Sequence, residues 1–276
     1  MALLEPRLYL GLDASAVTAA ALASGLGRRR VRGLARVPLA PGALAPSPSG
    51  SNLLRGDEVR EAVRRAASEL GGGRATLVLP DGVARIALVD LPAGADRRDF
   101  VRFRLAASLP WPASEAIVDA LPAGRGRAVG AAVHRATVVE YEQVAVAAGL
   151  EVERVHLAPL LALEGLMRSG TRDAVHAVLG DVAWCLAPFH DGTPAGLRNR
   201  RRDRSPGEAG RLWDEASRAA LDAGNGTGPA RLVVSGSEAA RLRQEIGERL
   251  AERGLAWPGE ELPGAAEAAW VGGLLA

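Results

Sequence analysis

The sequence contains no lysine: all 34 basic residues are arginine. Chemistry that needs a chain amine is therefore excluded, whether a Schiff base or a lysine clamp on a phosphate. The single cysteine, Cys185, excludes intrachain disulfides and multi-thiolate zinc sites. Four histidines (His134, His156, His176 and His190) are scattered, with no i, i+4 pair and no HExxH setting, so no metal site is expected. Aromatic residues are only 4%, which leaves alanine, leucine, valine and glycine to build the core. No apolar run approaches the roughly 20 residues of a membrane span. Met1 to Arg7 holds Glu5 and Pro6 and lacks the charged-then-apolar order of a secretory signal, so a cytoplasmic protein is expected. A net charge of +2 is no nucleic-acid footprint.

What is present is a globular composition, 48% apolar and 24% charged over 276 residues, enough for one large domain or two lobes. The chain opens with an expected three-stranded meander at 8–13, 17–23 and 31–37. Pro38 to Gly56, with four prolines and three glycines, reads as a loop. Asp57 is a plausible N-cap for a helix with Val59, Ala62, Val63, Ala66 and Leu70 on one face, closed by Gly71-Gly72-Gly73. Strands are expected at 75–79 and 83–91, and a helix at 96–109 ended by Pro110-Trp111-Pro112. A strand pair (116–121, 128–133), a helix (136–148), a strand (151–156) and a helix (158–167) follow. The second half repeats the style. Strands at 174–179 and 182–189 are followed by a third near 194–198, a helix at 206–222, a strand at 231–235, a helix at 237–253 and a short helix at 265–276. Each half is a strand meander followed by helix, strand and helix, which predicts an α/β protein of two similar lobes.

Gly11-Leu12-Asp13, followed by small and hydroxyl residues and a second strand, resembles the first phosphate loop of the actin-like ATPase superfamily. The middle of the chain carries a more specific order: Leu79-Pro80, a strand ending Leu91-Pro92, a helix ending Leu109-Pro110-Trp111-Pro112, then Asp119. It continues with Ala147-Ala148-Gly149-Leu150, the strand Glu151 to His156, and Leu160 to Leu163. This order is similar to the PilM-type proteins of the type IV pilus inner-membrane platform, with the cytoplasmic domain of GspL from type II secretion as a cousin. The resemblance implies an actin-like (ribonuclease H-like) fold with duplicated mixed sheets, an inserted small α/β subdomain, and a second-lobe small subdomain reduced or absent. It places the first lobe at 1–82 and 157–172, the inserted subdomain at 83–156 and the second lobe at 173–276.

The resemblance nominates Gly11, Asp13, Ser15, Gly180, Asp181 and Gly236 as cofactor-binding residues of a degenerate nucleotide site, with no catalytic and no metal residues. The first loop is two residues shorter than the family pattern, and the family's lysine falls near Thr18. In the second loop the family's glycine falls on Gly180, its aspartate on Val178 and its threonine near Trp184, which leaves Asp181 on the other side of the glycine. The adenosine motif, Val234-Ser235-Gly236-Ser237-Glu238, has one glycine, and Ser237 reads there as a helix N-cap. Between Arg204 and Arg231 there is room for one helix only.

The function implied is a cytoplasmic scaffold, peripheral to the inner membrane through its partner. It would dock the N-terminal cytoplasmic tail of a PilN-type membrane protein and meet other pilus platform or motor components. The tail's groove is expected along strands 75–79 and 83–91 and the inserted subdomain. No cofactor is expected. A second reading keeps ATP with magnesium and a working nucleotide switch or ATPase; a third is the GspL-type domain; a sugar- or acetate-kinase relative is the weakest. The run Arg198 to Arg204 reads as a solvated loop, or as a patch for an acidic tail or the anionic membrane surface. Phe100 and Phe103, set among Arg98, Arg102 and Arg104, read as a core-facing helix stripe. Trp111 reads as a plug in an apolar seam, His134 and His156 as structural histidines, and Cys185 as a buried small hydrophobe.

Overall fold

The computed structural model describes residues 7–25, 28–124, 126–170, 173–223, 231–252, 259–260, 270–271 and 274. The meander forms strands β1 (Arg7–Leu12), β2 (Ala16–Gly25) and β3 (Arg28–Pro38). Helix α1 (Gly56–Ser68) follows, with Val59, Ala62, Val63, Ala66 and Ala67 buried as the spacing requires. Its N-cap position is Arg55, without a side-chain cap, and Asp57 lies inside the first turn, favourably placed for the helix dipole. Strand β4 (Arg74–Leu79) then pairs parallel with β1 through this crossover.

The inserted unit comprises β5 (Ala84–Asp90), α2 (Arg97–Ala106), β6 (Ala116–Pro122) and β7 (Arg127–His134), as an antiparallel sheet ordered β5-β7-β6. Helix α2 ends at Ala106, three residues short of the expected 96–109. Helix α3 (Arg135–Ala147), strand β8 (Glu151–Leu157) and helix α4 (Ala158–Arg168) complete the first half. Because β8 pairs parallel with β4, it belongs to the first lobe's sheet, and α3 packs in that lobe's core through Val138, Tyr141 and Val144. The inserted subdomain is therefore narrower than 83–156: its sheet closes at His134.

The second half contains β9 (Ala174–Leu179), β10 (Ala183–His190), β11 (Thr193–Pro194), β12 (Arg198–Arg201), α5 (Glu208–Asp222), β13 (Leu232–Gly236), α6 (Ala239–Glu252) and β14 (Gly259–Glu260). The first-lobe sheet is ordered β3-β2-β1-β4-β8. The second is ordered β11-β10-β9-β13-β14, with β12 also on β10. Each lobe thus carries an antiparallel hairpin beside parallel strands, the duplication expected from the sequence. Among the described residues, α5 is the one helix between β12 and β13. Most of 265–276 lies outside the described residues, but Trp270, Val271 and Leu274 are helical and pack against Tyr9, Val78 and Leu161 of the first lobe.

Small apolar residues fill the core. Leu10, Leu77, Leu79 and Tyr141 are fully buried in the first lobe, and Leu186, Leu212, Leu232 and Leu242 in the second. Each of these leucines contributes about 1.5–3 kcal/mol of transfer free energy. Trp184 lies in the second-lobe core beside Leu186 and Leu212. It is not among the residues lining the interlobe pocket, although the alignment set it near a phosphate-loop threonine, because alternate residues of β10 point to opposite faces.

Candidate functional site

The two lobes meet where the β1–β2 hairpin faces the β9–β10 hairpin. The first turn is closed by Asp13 N–H on the carbonyl of Ala16 (3.0 Å) and the second by Gly180 N–H on that of Ala183 (3.0 Å). Five nominated residues, Gly11, Asp13, Ser15, Gly180 and Asp181, line one pocket here. Gly236 stands just behind it at the end of β13, with φ 102°, and it is Ser237 that reaches the pocket.

The hairpins are joined by their own carboxylates. Ser15 N–H donates to Asp181 Oδ2 at 2.7 Å, and Asp181 N–H donates to Asp13 Oδ2 at 3.2 Å. Asp13 Oδ1 accepts from Ala14 N–H at 2.8 Å. Asp181 Oδ1 accepts from Arg204 Nη2 at 2.7 Å and from the Ser237 hydroxyl at 2.8 Å. Asp181 is thus central to the junction, although the alignment set it on the wrong side of the glycine. Ser237 does not cap α6: its hydroxyl is engaged by Asp181, and the helix begins at Ala239.

A third acid completes the cluster. Asp81, 4% exposed, packs on Gly180, where a Cβ would lie 2.6 Å from its oxygens. Its Oδ1 has no hydrogen-bond partner. Burial, then the charge of Asp13, holds its carboxyl well above the usual range. For Asp13, burial followed by repulsion from Asp181 raises the pKa to about 7. Asp181 runs the other way: burial opposes ionisation, but hydrogen bonds from Ser15 and Ser237 and the charge of Arg204 bring it below its ordinary value. The junction therefore holds one firmly ionised carboxylate beside two that favour protons.

Gly11 is not a phosphate-loop glycine in its geometry. It is a paired residue of β1, and a Cβ there would lie 2.8 Å from the Trp270 indole, so the glycine makes room for that ring. The pocket is about 50 Å³. Nucleotide-sized ligands occupy clefts of roughly 300–1,000 Å³. The backbone N–H groups of Ser15 and Asp181, the kind that would cradle phosphate oxygens, already have carboxylate acceptors. In this arrangement the residues do not fit a nucleoside triphosphate with magnesium.

Behind the second hairpin the arginine run divides: Arg198–Arg201 form β12, Arg200, Arg201 and Arg204 stay exposed, and Arg202 is structural. Arg202 is buried with all five of its donors engaged, three on Glu208 and Glu238 and two on the carbonyls of Gly180 and Ser237. Glu208, fully buried, also accepts from Arg241 at 2.9 Å. Burial opposes its charge, yet the bonds from Arg202 and Arg241 lower its pKa. Arg198 pairs with Glu215 and Asp222, and Arg204 with Asp181. Asp81, Arg202, Glu208 and Glu238 escaped sequence reasoning. Pro80-Asp81-Gly82 reads as a strand stop, and a charge run reads as surface.

A second cavity, about 330 Å³, opens between the 46–48 loop, the start of β5 and strand β12, with Arg85, Ile86, Asn199 and Arg201 on its walls. Strand β5 is an edge strand, paired only with β7 among the described residues. The expected groove along 75–79 is not there, because β4 is enclosed between β1 and β8. Asp173, His190 and Asp191 gather on the surface, with His190 Nδ1 3.2 Å from Asp173 Oδ1. Residue spacing did not reveal this group, because the β10 turn brings it together.

Sheets in duplicate, facing hairpins and an inserted three-stranded unit define an actin-like ATPase fold. A *Bacteroides thetaiotaomicron* protein described as having that fold superposes with a TM-score of 0.66 at 9% identity, over 99% of this chain and 96% of that one. The PilM–PilN type IV pilus biogenesis complex matches with a TM-score of 0.69 at 17% identity, covering 95% of this chain and 90% of that one. The cytoplasmic domain of EpsL, an inner-membrane component of the *Vibrio cholerae* type II secretion system, matches with a TM-score of 0.54 at 15% identity, over 82% and 80%. No protein-family model and no curated protein sequence matches the chain. Among the described residues no helix is long and apolar enough to cross a membrane.

Proposed function

We propose that this protein is a docking scaffold of a type IV pilus or related secretion platform, working at the cytoplasmic side of the inner membrane. It holds the N-terminal cytoplasmic tail of a PilN-type membrane protein and works without nucleotide. The observation that carries this reading is the 330 Å³ groove at the free edge of β5. An unpaired strand edge offers main-chain donors and acceptors to an extended peptide, and the groove beside it offers side-chain pockets. The likeness to the PilM–PilN complex over almost the whole chain supports the choice of partner. The carboxylate-filled hairpin junction supports a scaffold rather than an ATPase.

The test is titration of a synthetic PilN-type tail peptide into the protein and into Arg85→Glu/Arg201→Glu. Binding weakened about tenfold or more in the variant supports the groove. Equal affinity for both, or amide protection by the peptide at a different surface, overturns it. A parallel titration with ATP and magnesium should give no heat. Micromolar binding lost in Asp13→Ala would replace this reading with a nucleotide switch.

A further inference from the structure

The groove beside β5 carries a charge, and the charge says what kind of tail it takes. Ala84, Arg85 and Ile86 of β5 form one wall, and Asn199, Arg200 and Arg201 of β12 form another. Successive residues of a strand point to opposite faces. Neighbours in sequence share one cavity only where it runs along the strand's edge. Both edges are free: among the described residues β5 pairs only with β7, and β12 only with β10. The groove is therefore bounded by main chain on two sides, which suits an extended segment. Its floor, Gly82, Val182 and Ala183, is small and apolar. Asn199 Oδ1 on the wall has no hydrogen-bond partner, which leaves an acceptor for an incoming N–H.

The walls are positive. Arg85, Arg200 and Arg201 are all exposed. Arg85 and Arg201 have no ion-pair partner among the described residues. Arg200 meets only Glu215, at 4.0 Å, and that carboxylate already serves Arg198 and Arg218 at 3.2 Å each. The one acid lining the groove is Asp81, 4% exposed, and burial favours its protonated form. Even ionised, it would leave the arginines in excess. Asp90, at the far end of β5, does not line the groove. No aromatic side chain stands on the walls, so nucleobases find no stacking platform there.

We propose that the groove selects an acidic tail: an extended segment of the partner that adds to the edge of β5 and sets its carboxylates against Arg85, Arg201 and Arg200. This rests on the docking function above, since the groove is the same one. Main-chain pairing holds any extended segment, and the arginines choose among them. A guanidinium grips a carboxylate through paired N–H donors, and the positive walls repel a basic segment.

The experiment titrates three octapeptide probes into the intact protein and follows backbone amide shifts. The probes are an acetylated and amidated Glu-Thr repeat, its Gln-Thr counterpart and its Lys-Thr counterpart. The variants are Arg85→Gln/Arg201→Gln and, as a control, Arg60→Gln on α1, each checked for folding by circular dichroism. The Glu probe is expected to shift amides of β5 and β12 and to bind at least about tenfold tighter than the Gln probe, with no binding of the Lys probe. That preference should vanish in the double variant, persist in Arg60→Gln, and fall about tenfold between about 50 and about 500 mM salt. Equal binding of the Glu and Gln probes at β5 overturns the acid selection and leaves tail docking in place. Glu-probe shifts confined to another surface overturn both. No binding of the Glu probe, or equal loss in Arg60→Gln, also overturns the proposal. So does tighter binding of an oligothymidylate that is lost in the double variant, which would assign the groove to nucleic acid.

Discussion

Asp13 and Asp181 each accept a backbone N–H from the hairpin of the opposite lobe, Asp13 from Asp181 itself and Asp181 from Ser15. Two tight turns that could share a phosphate are thus closed on each other by side chains of the chain itself. The lobes are held by hydrogen bonds to carboxylates, which are stronger than neutral ones where water is scarce.

Removing the ionised partner should open this junction. Asp181→Ala is expected to speed hydrogen exchange of the Ser15 amide about tenfold or more, while amides of β4 and β9 keep their protection. Unchanged exchange at Ser15 would mean the lobes are held elsewhere.

The buried ion pair behind the hairpin should be costly to break from one side. Glu208→Gln leaves Arg202 short of a counter-charge in the interior and is expected to destabilise by on the order of 3 kcal/mol in urea unfolding. Replacing both with leucine should cost clearly less than the single change, since no orphaned charge remains. An equal or larger loss in the double variant would contradict this.

Two buried titrations act in opposite directions. Burial, aided by the charge of Arg231, lowers His176 from 6.5 to about 4, so stability is lost as pH falls across that interval, by about 3 kcal/mol in all. Asp13 is raised from 3.8 to about 7, so its share of stability is present at low pH and is lost as pH rises towards 7. The slopes offset one another between about pH 4 and 6.5. His176→Leu, whose ring nitrogens have no hydrogen-bond partner to lose, should exceed wild type in melting temperature at pH 5, with the difference shrinking to a constant above pH 7. Asp13→Asn should gain on wild type steadily from pH 4 to 7. Melting curves that run parallel for all three proteins would dismiss both assignments.

Gly180 and Asp81 should be coupled. Gly180→Ala places a methyl 2.6 Å from the Asp81 oxygens and is expected to cost about 1–3 kcal/mol. In an Asp81→Ala background that cost should largely vanish. Additive effects in the cycle would mean that the two side chains do not meet.

The duplicated strand order was legible because each element carries a local signature: apolar strands bounded by glycine and proline, and Val59-to-Ala66 spacing for α1. The hairpin residues were legible too, Asp13 and Ser15 from the loop after β1 and Gly180 and Asp181 from the turn after β9. Their roles were not. That Gly11 faces Trp270, or Gly180 faces Asp81, is a long-range contact with no trace in local composition. The run at Arg198–Arg204 misled for the same reason: only the fold brings Glu208, Glu238 and Asp181 to it. The stripe held for Phe100, which packs partly buried beside Val101 and Leu105, but Phe103 misled: two residues from each of these, it falls on the far side of the helix and is 73% exposed.

Trp270 against Gly11 has a consequence for the order of assembly. The face of the first sheet that carries Tyr9 and Val78 is covered by Trp270, Val271 and Leu274, residues far along the chain. The N-terminal lobe emerges early but presents an open apolar face until these residues have left the ribosome. Its folding is therefore tied to contacts of large sequence separation, the kind that form slowly. A chain truncated before Trp270 should collapse and then self-associate through that face, and the full-length protein should show a late refolding phase in indole fluorescence as the ring seats on the glycine.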